Sequence, residues 1–136
     1  MRVLNFKPYQ SGRVVAMTKK ILIVEDDFDT RYVISLILKN EGYEVVTAAD
    51  GECALAVASE HKPDLIITDI SMPRLNGIEL TRKIRLDQQT AAMPILAITA
   101  YGPMTMRNAI EAGASACTRK PIVFTEFLPI IKSLLP

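Results

Sequence analysis

The chain has 136 residues, the length of one domain with room for a full hydrophobic core. Its 16 basic and 15 acidic residues leave a formal net charge of +1, which argues against direct binding of nucleic acid. No apolar run reaches the roughly 20 residues of a membrane span, and the N-terminus lacks the apolar core of a signal peptide. We therefore expect a soluble, cytoplasmic protein that does not contact a membrane.

The N-terminal segment, residues 1–16, shows no clear periodicity and contains Pro8 and Gly12. We predict a flexible extension over residues 1–18, followed by one domain over residues 19–136. Two explanations of the extension stay open, because Met17 would also make an ordinary start directly before the first strand. It is either a native arm or an artefact of the chosen start site or of cloning.

From Lys20 onward, predicted strands and helices alternate in five βα units. The strands are predicted at about 20–24, 43–47, 64–68, 95–98 and 115–118. The helix boundaries are predicted from capping residues, glycines and prolines. The first helix is capped by Asp27 or Asp29 and ends at Gly42, and the second begins at Asp50-Gly51. The fourth helix lies between Pro103 and Gly113, and the last is capped by Thr125. Strands one, three and four are continuous aliphatic runs, which is typical of parallel strands covered on both faces. Right-handed crossovers then place helices on both sides of the sheet.

Polar side chains follow four of the predicted strands at the point where each strand ends. They are Glu25-Asp26-Asp27, Asp69, Thr99 and Arg119-Lys120-Pro121. If the strands are parallel, these groups lie along one edge of one sheet, which is where open α/β sheets bind ligands. A carboxylate at the end of a buried strand is costly to desolvate unless it has partners or a task.

The three acids Glu25, Asp26 and Asp69 would repel one another, and at least one pKa should rise unless a cation neutralises them. A hard divalent ion such as Mg2+ suits such oxygen ligands. Lys120 would add a second positive charge for phosphoryl oxygens, and the Thr99 hydroxyl a directional donor. Asp69 is then the natural nucleophile, because carboxylates can form acyl phosphates.

Each of these residues also has an ordinary structural explanation. Asp26 and Asp27 could cap a helix, Asp69 could belong to a turn, Lys120 could be an exposed loop residue and Thr99 an ordinary strand end. Under these explanations, all of the residues would lie at the same edge of the sheet, each with a charge or polarity that suits a phosphoryl site, only by coincidence. The combination therefore favours a phosphoryl site.

With these motifs in place, the chain resembles a receiver domain of the two-component response-regulator family. The resemblance covers roughly Lys19 to Leu135. It rests on four motifs, namely Ile-Leu-Ile-Val-Glu25-Asp26-Asp27, Asp69 with Met72-Pro73 and Gly77, Thr99-Ala100, and Lys120-Pro121. It implies a flavodoxin-like, doubly wound α/β fold, with a five-stranded parallel sheet of order 2-1-3-4-5 and five helices.

The resemblance also implies a role for each acid. Asp69 corresponds to the phosphoacceptor, which takes a phosphoryl group from a sensor histidine kinase or a histidine phosphotransfer protein. Mg2+ (or Mn2+) would be bound by Asp26 and Asp69, by Glu25 through water and by the backbone carbonyl of Ser71. The domain would catalyse only its own phosphorylation and dephosphorylation and would not be an enzyme in the usual sense.

Further roles are implied for the residues around the phosphoryl group. Thr99 corresponds to the switch hydroxyl and Lys120 to the phosphate-binding lysine, and the Lys120-Pro121 bond is expected to be cis.

Many members carry an aromatic residue three positions before the lysine, where this chain has Cys117. Tyr101 could take over part of that aromatic role or only gate access to Asp69, and both explanations stay open. Ser71 and Tyr101 are expected to tune hydrolysis of the acyl phosphate.

The output surface implied by the resemblance is the face of helix 4, strand 5 and helix 5. It is rich in apolar side chains, namely Tyr101, Met104, Met106, Ile122, Val123 and Phe124. The sequence leaves open whether these side chains form a docking patch or simply pack inward. Phosphorylation would change this face for a downstream effector protein or domain, or for a phosphorylation-dependent homodimer.

Other functions fit the sequence less well. A constitutive protein-interaction module with a vestigial pocket is the main alternative, although the complete residue set disfavours it. A haloacid-dehalogenase-like phosphatase needs a second aspartate two residues after the first, where this chain has Ser71. A nucleotide-binding domain would need a glycine-rich loop after the first strand.

Overall fold

The computed structural model describes residues 18–72 and 74–136. Apart from Thr18, the predicted N-terminal extension lies outside the described residues, as does Pro73 of the Met72-Pro73 pair. The boundary between extension and domain therefore stays a prediction.

Within the described part of the chain, five strands alternate with five helices. The strands are β1 (Lys20–Val24), β2 (Glu44–Ala48), β3 (Leu65–Asp69), β4 (Ile95–Thr99) and β5 (Ala116–Arg119). The helices are α1 (Phe28–Asn40), α2 (Gly51–His61), α3 (Gly77–Leu86), α4 (Pro103–Ala112) and α5 (Phe124–Leu134). None of the helices in residues 18–72 and 74–136 is long and apolar enough to cross a membrane.

The five strands form one parallel sheet in the order β2-β1-β3-β4-β5, which confirms the expected fold. The strand register places the ends of neighbouring strands level with one another. Asp69 lies opposite Ile98, directly before Thr99, and Thr99 lies opposite Arg119. The polar groups that follow the strands are thereby brought to one edge of the sheet.

Two apolar layers cover the two faces of the sheet. Helices α2, α3 and α4 cover one face with buried side chains that include Ala54, Leu80, Ile84 and Ala109. Helices α1 and α5 cover the other face with Ile34, Leu38, Phe127 and Ile131. Every residue of β3 and β4 is buried, as is β1 from Ile21 onward, as predicted from their aliphatic sequences.

The ends of several strands differ by one residue from the predicted ones. β2, β3 and β5 each begin and end one residue later than predicted, and β4 extends to Thr99. Pairing with the neighbouring strand sets these ends, as when Asp69 pairs with Ile98 and so becomes the last residue of β3. Asp69 is therefore part of the strand and is held in the sheet by its pairing with β4.

The helix caps agree with the sequence except at α5. Of the two candidates for α1, Asp27 is the cap, and its Oδ2 accepts a hydrogen bond from Thr30 N–H at 2.9 Å. The prediction that Thr125 caps the last helix is wrong, because α5 begins at Phe124 with Val123 at the capping position. The Phe124 ring packs edge-on against Phe127, with 5.8 Å between ring centroids. This apolar packing draws the first turn of the helix inward and outweighs the local capping preference of threonine.

Candidate functional site

Three carboxylates meet at the carboxyl edge of the sheet. Glu25 directly follows β1, Asp69 ends β3, and both are buried, at 2% and 5% exposure. Asp26 is exposed at the mouth of the site. One oxygen from each of these three side chains lies within 4.8 Å of the others. The structure thus brings together the three acids that the sequence placed at this edge.

Lys120 reaches into this acidic cluster from the loop after β5. Its Nζ lies 3.2 Å from Oε1 of Glu25 and 3.4 Å from Oδ1 of Asp69. Its backbone N–H donates to the carbonyl oxygen of Thr99 at 2.7 Å, and the Lys120-Pro121 peptide bond is cis. One ammonium group therefore bridges two buried carboxylates.

Burial and the charges of neighbouring groups both shift the pKa values in this cluster. Burial raises the pKa of the Glu25 carboxyl, and the nearby Asp69 raises it further. Burial also raises the pKa of Asp69, against the opposing effect of Lys120. Burial alone would lower the pKa of Lys120, but Asp69 and Glu25 outweigh it and the pKa is raised. With three carboxylates and one ammonium group, the cluster would carry a net negative charge when all four groups are ionised, and a bound cation would offset it.

Thr99 ends β4 beside Asp69 and is almost fully buried. Its hydroxyl oxygen accepts a hydrogen bond from the backbone N–H of Tyr101 at 2.9 Å. The Tyr101 residue itself is 58% exposed. The Thr99 hydroxyl oxygen is therefore linked to the turn that leads into α4.

The two remaining candidates near the site differ in burial. Cys117 is half-buried in β5 and packs on the side of the sheet that α2, α3 and α4 cover, and burial raises the pKa of its thiol. Ser71 is exposed in the loop between β3 and α3.

The apolar surface that the sequence singled out divides into two sets. Tyr101, Met104 and Val123 are 58%, 69% and 49% exposed. Met106, Ile122 and Phe124 are half-buried, and Ile122 and Phe124 pack against the core layer under α1 and α5. Ile122 and Phe124 therefore pack inward, while a docking role for the exposed side chains stays a prediction.

Sequence reasoning missed two contacts that shape the site. The Arg31 guanidinium donates to the backbone carbonyl of Glu25 at 2.7 Å, and the Asp27 N–H donates to Oε2 of Glu25 at 3.2 Å.

Gly77 was identified only as part of a motif, but a Cβ there would overlap the carbonyl oxygen of Asp69 and lie 2.8 Å from Cα of Ile70. The glycine thus allows α3 to begin directly against the residue that ends β3, a close approach that the sequence pattern does not reveal.

The sequence model of the response regulator receiver domain matches residues 21–132 of this chain. The chain belongs to the response-regulator receiver family. DivK of Brucella ovis, a polar-differentiation response regulator, is 35% identical to this receiver over 120 residues, which cover 88% of this chain and 98% of DivK.

Solved structures agree with this assignment. Chemotaxis response regulator CheY4 of Vibrio cholerae is 34% identical and superposes with a TM-score of 0.82, covering 87% of this receiver and 99% of CheY4. The BeF3-activated N-terminal receiver domain of Klebsiella pneumoniae RstA is 30% identical, with a TM-score of 0.80 and coverages of 86% and 98%.

The residues present in this receiver fit a divalent metal ion. Receiver domains generally bind Mg2+ at an acidic pocket, and Glu25, Asp26 and Asp69 form such a cluster here. All three supply oxygen, the donor that Mg2+ prefers. Burial raises the pKa of both Glu25 and Asp69, so a cation bound beside them would stabilise their charged forms.

Proposed function

We propose that this chain is a phospho-accepting receiver of the cytoplasm, in which Asp69 takes a phosphoryl group from a sensor histidine kinase or a histidine phosphotransfer protein. One observation carries the proposal. The Asp69 carboxylate lies at the sheet edge with the Lys120 ammonium 3.4 Å away and two more carboxylates within 4.8 Å. This arrangement combines a nucleophile, a phosphate-binding cation and a set of metal ligands in one pocket.

The proposed metal ligands are Asp26 and Asp69 directly, Glu25 through a water molecule, and the backbone carbonyl of Ser71. The position of Glu25 supports its indirect role, because Lys120 and the Asp27 N–H already occupy its two carboxylate oxygens. Mg2+ bound there would neutralise the carboxylates and the charge of the transferred phosphoryl group.

In the proposed reaction, a carboxylate oxygen of Asp69 attacks the phosphorus atom of the donor. The new oxygen–phosphorus bond forms as the bond from phosphorus to the donor imidazole nitrogen breaks, and the imidazole takes up a proton and leaves neutral. The Lys120 ammonium and the Thr99 hydroxyl donate hydrogen bonds to the phosphoryl oxygens. In the separate dephosphorylation step, a water oxygen attacks the phosphorus atom as the bond from phosphorus to the Asp69 oxygen breaks, so that inorganic phosphate leaves and the carboxylate is restored. Ser71 and Tyr101 flank this path and tune its rate.

The proposed output is a change of the face formed by α4, β5 and α5. A phosphoryl group adds negative charge and acceptor oxygens, which attract the Thr99 hydroxyl. Thr99 is bonded to the Tyr101 N–H, so its movement shifts the turn that leads into α4. With Cys117 in place of an aromatic residue, Tyr101 carries this signal to the surface. A downstream effector protein or domain, or a second copy of the receiver, then binds the two states with different affinity.

The first test is an intact-mass measurement after incubation with Mg2+ and acetyl phosphate, beside the matched variant Asp69→Asn. We expect a gain of one phosphoryl group in the parent only, and none when a chelator removes Mg2+. Acceptance by the variant would assign the phosphoryl group to another residue.

A second measurement separates slow phosphorylation from a vestigial pocket. Beryllofluoride with Mg2+ should change the amide NMR signals around Thr99 and Lys120 even if acetyl phosphate is a poor donor. RstA is a precedent, since its receiver was solved in a BeF3-activated form. No response to either reagent would favour the alternative of a constitutive interaction module.

A further inference from the structure

In the loop between β3 and α3, Arg74 and Leu75 lie against the N-terminal end of α2. Nη1 of Arg74 donates to Oδ2 of Asp50 at 2.7 Å. One residue further along each segment, a Cβ on Gly51 would overlap the carbonyl oxygen of Leu75 and lie 2.8 Å from its Cβ. Two adjacent contacts, one ionic and one steric, therefore join this loop to α2.

The α2 side of this contact is well anchored. Asp50 uses Oδ1 to accept a hydrogen bond from the Cys53 N–H at 2.8 Å and so caps the helix, while Oδ2 binds Arg74. The Cys53 N–H and, to a smaller extent, Arg74 hold the pKa of Asp50 below its ordinary value. Ala54 and Ala58 bury the helix against the sheet. The helix end thus provides a fixed point for the loop.

On the loop side, the backbone of Arg74 has a φ of +64°, in the left-handed region that favours glycine. The loop ends are held as well, since Gly77 N–H donates to the carbonyl of Ile70 at 2.9 Å and Asn76 caps α3. The loop is therefore held at Arg74 and Leu75 by α2 and at Ile70, the residue before Ser71, by Gly77.

We propose that Asp50, Gly51 and Arg74 are positioning residues that hold the β3–α3 loop so that the Ser71 carbonyl is available to Mg2+. The inference rests on the proposed metal site and adds residues that touch neither metal nor phosphoryl group. Mg2+ demands near-ideal octahedral geometry, so a ligand supplied by a loop must be held in place before the ion arrives. Residues that support metal ligands commonly affect affinity about 10- to 100-fold. The Arg74 side chain is largely exposed, which reduces the expected effect of the ion pair.

The decisive experiment measures Mg2+ affinity by calorimetry on the parent protein and on Asp50→Asn, Arg74→Gly and the double variant. Asparagine keeps the cap of α2 but removes the charge, and glycine suits the positive φ while it removes the side chain. We expect Mg2+ affinity to fall about threefold in each single variant and no further in the double variant, since an exposed ion pair contributes little. Unchanged affinity or additive losses would overturn the inference. No Mg2+ binding by the parent protein would overturn the proposed function, and this inference with it.

Gly51→Ala tests the steric contact independently. Alanine suits a helix better than glycine, so α2 itself is not weakened, but the new Cβ must displace Leu75. We expect Mg2+ affinity to fall about tenfold, as for other supports of metal ligands, with phosphorylation by acetyl phosphate recovering at saturating Mg2+. A purely structural role would not shift the Mg2+ dependence. Cys53→Ala, an exposed change in the same helical turn, is the matched control and should leave the affinity unchanged.

Discussion

Lys120 and Glu25 are 95 residues apart in the chain and form an ion pair of 3.2 Å across the end of the sheet. Glu25 follows β1 and Lys120 follows β5, so the lysine side chain reaches past the ends of both β3 and β4. The Lys120 side chain is 27% exposed, whereas that of Glu25 is almost fully buried. The fold itself therefore positions the Lys120 ammonium beside both Glu25 and Asp69.

Removal of this cation should destabilise the protein, because two buried carboxylates lose their partner. We expect Lys120→Met to lower the free energy of unfolding by about 2 kcal/mol, less than the roughly 3–5 kcal/mol found when a fully buried pair is broken. Urea denaturation of metal-free protein would measure the loss. In the double variant Lys120→Met/Glu25→Gln the loss should be smaller than the sum of the two single changes. Strict additivity would show that the two side chains do not interact.

Neutralisation of Asp69 should have the opposite effect on stability. Burial disfavours its charged form and raises its pKa, so the ionised carboxylate opposes folding at neutral pH. We expect metal-free Asp69→Asn to be more stable than the parent by about 1 kcal/mol, at the low end of the gains seen when buried ionic groups are replaced. A less stable variant would mean that the Lys120 contact outweighs the burial of the charge.

The same carboxylates predict a pH dependence of stability. The pKa values of Asp69 and Glu25 are raised above 3.8 and 4.5, so the folded protein binds these protons more tightly than the unfolded chain. Stability contributed by the two groups is therefore lost as pH rises through the folded-state values. As pH rises from 3.8, the ordinary pKa of an aspartate, to neutral, the parent should lose more stability than Asp69→Asn. Urea denaturation of both proteins across this range, with a chelator present, measures the difference, and parallel curves would contradict the prediction.

Mg2+ should offset the cost of burying the charged carboxylates, because it binds the folded state. At a concentration ten times its Kd, we expect a gain of about 1.4 kcal/mol in the free energy of unfolding. Asp26→Asn should lose most of this gain, while its metal-free stability stays within about 0.5 kcal/mol of the parent because Asp26 is exposed. The measurement is the urea midpoint as a function of Mg2+. An equal gain in the variant would exclude Asp26 as a ligand.

Gly77 and Gly102 form a matched pair for testing the close approach beside Asp69. A Cβ at Gly77 would overlap backbone atoms of Asp69 and Ile70, whereas one at Gly102 meets nothing within 4 Å. We expect Gly77→Ala to lower stability by about 3 kcal/mol through overpacking. Gly102→Ala should lower it by about 0.5 kcal/mol, since alanine caps a helix less well than glycine. Thermal unfolding of both variants would make the comparison, and similar losses would refute the steric explanation.

Much of the fold, and the meeting of the three acids and Lys120 at one edge of the sheet, could be predicted from the sequence. Aliphatic runs that end in polar groups marked β1, β3 and β4, and glycine and proline marked the helix ends, because these signals depend on a few neighbouring residues. The order of the strands and the roles of the site residues came from family resemblance. No local pattern encodes which strand lies next to which.

Only the tertiary structure decided the contacts between distant segments. The Lys120–Glu25 pair, the Arg74–Asp50 contact and the overlap that excludes a side chain at Gly77 each depend on how separate elements pack. The same holds for α5, where packing of Phe124 on Phe127 set the start of the helix against the capping preference of Thr125. Local sequence determines which conformations a segment favours. The free energy of packing between segments decides which of these is adopted and which side chains meet.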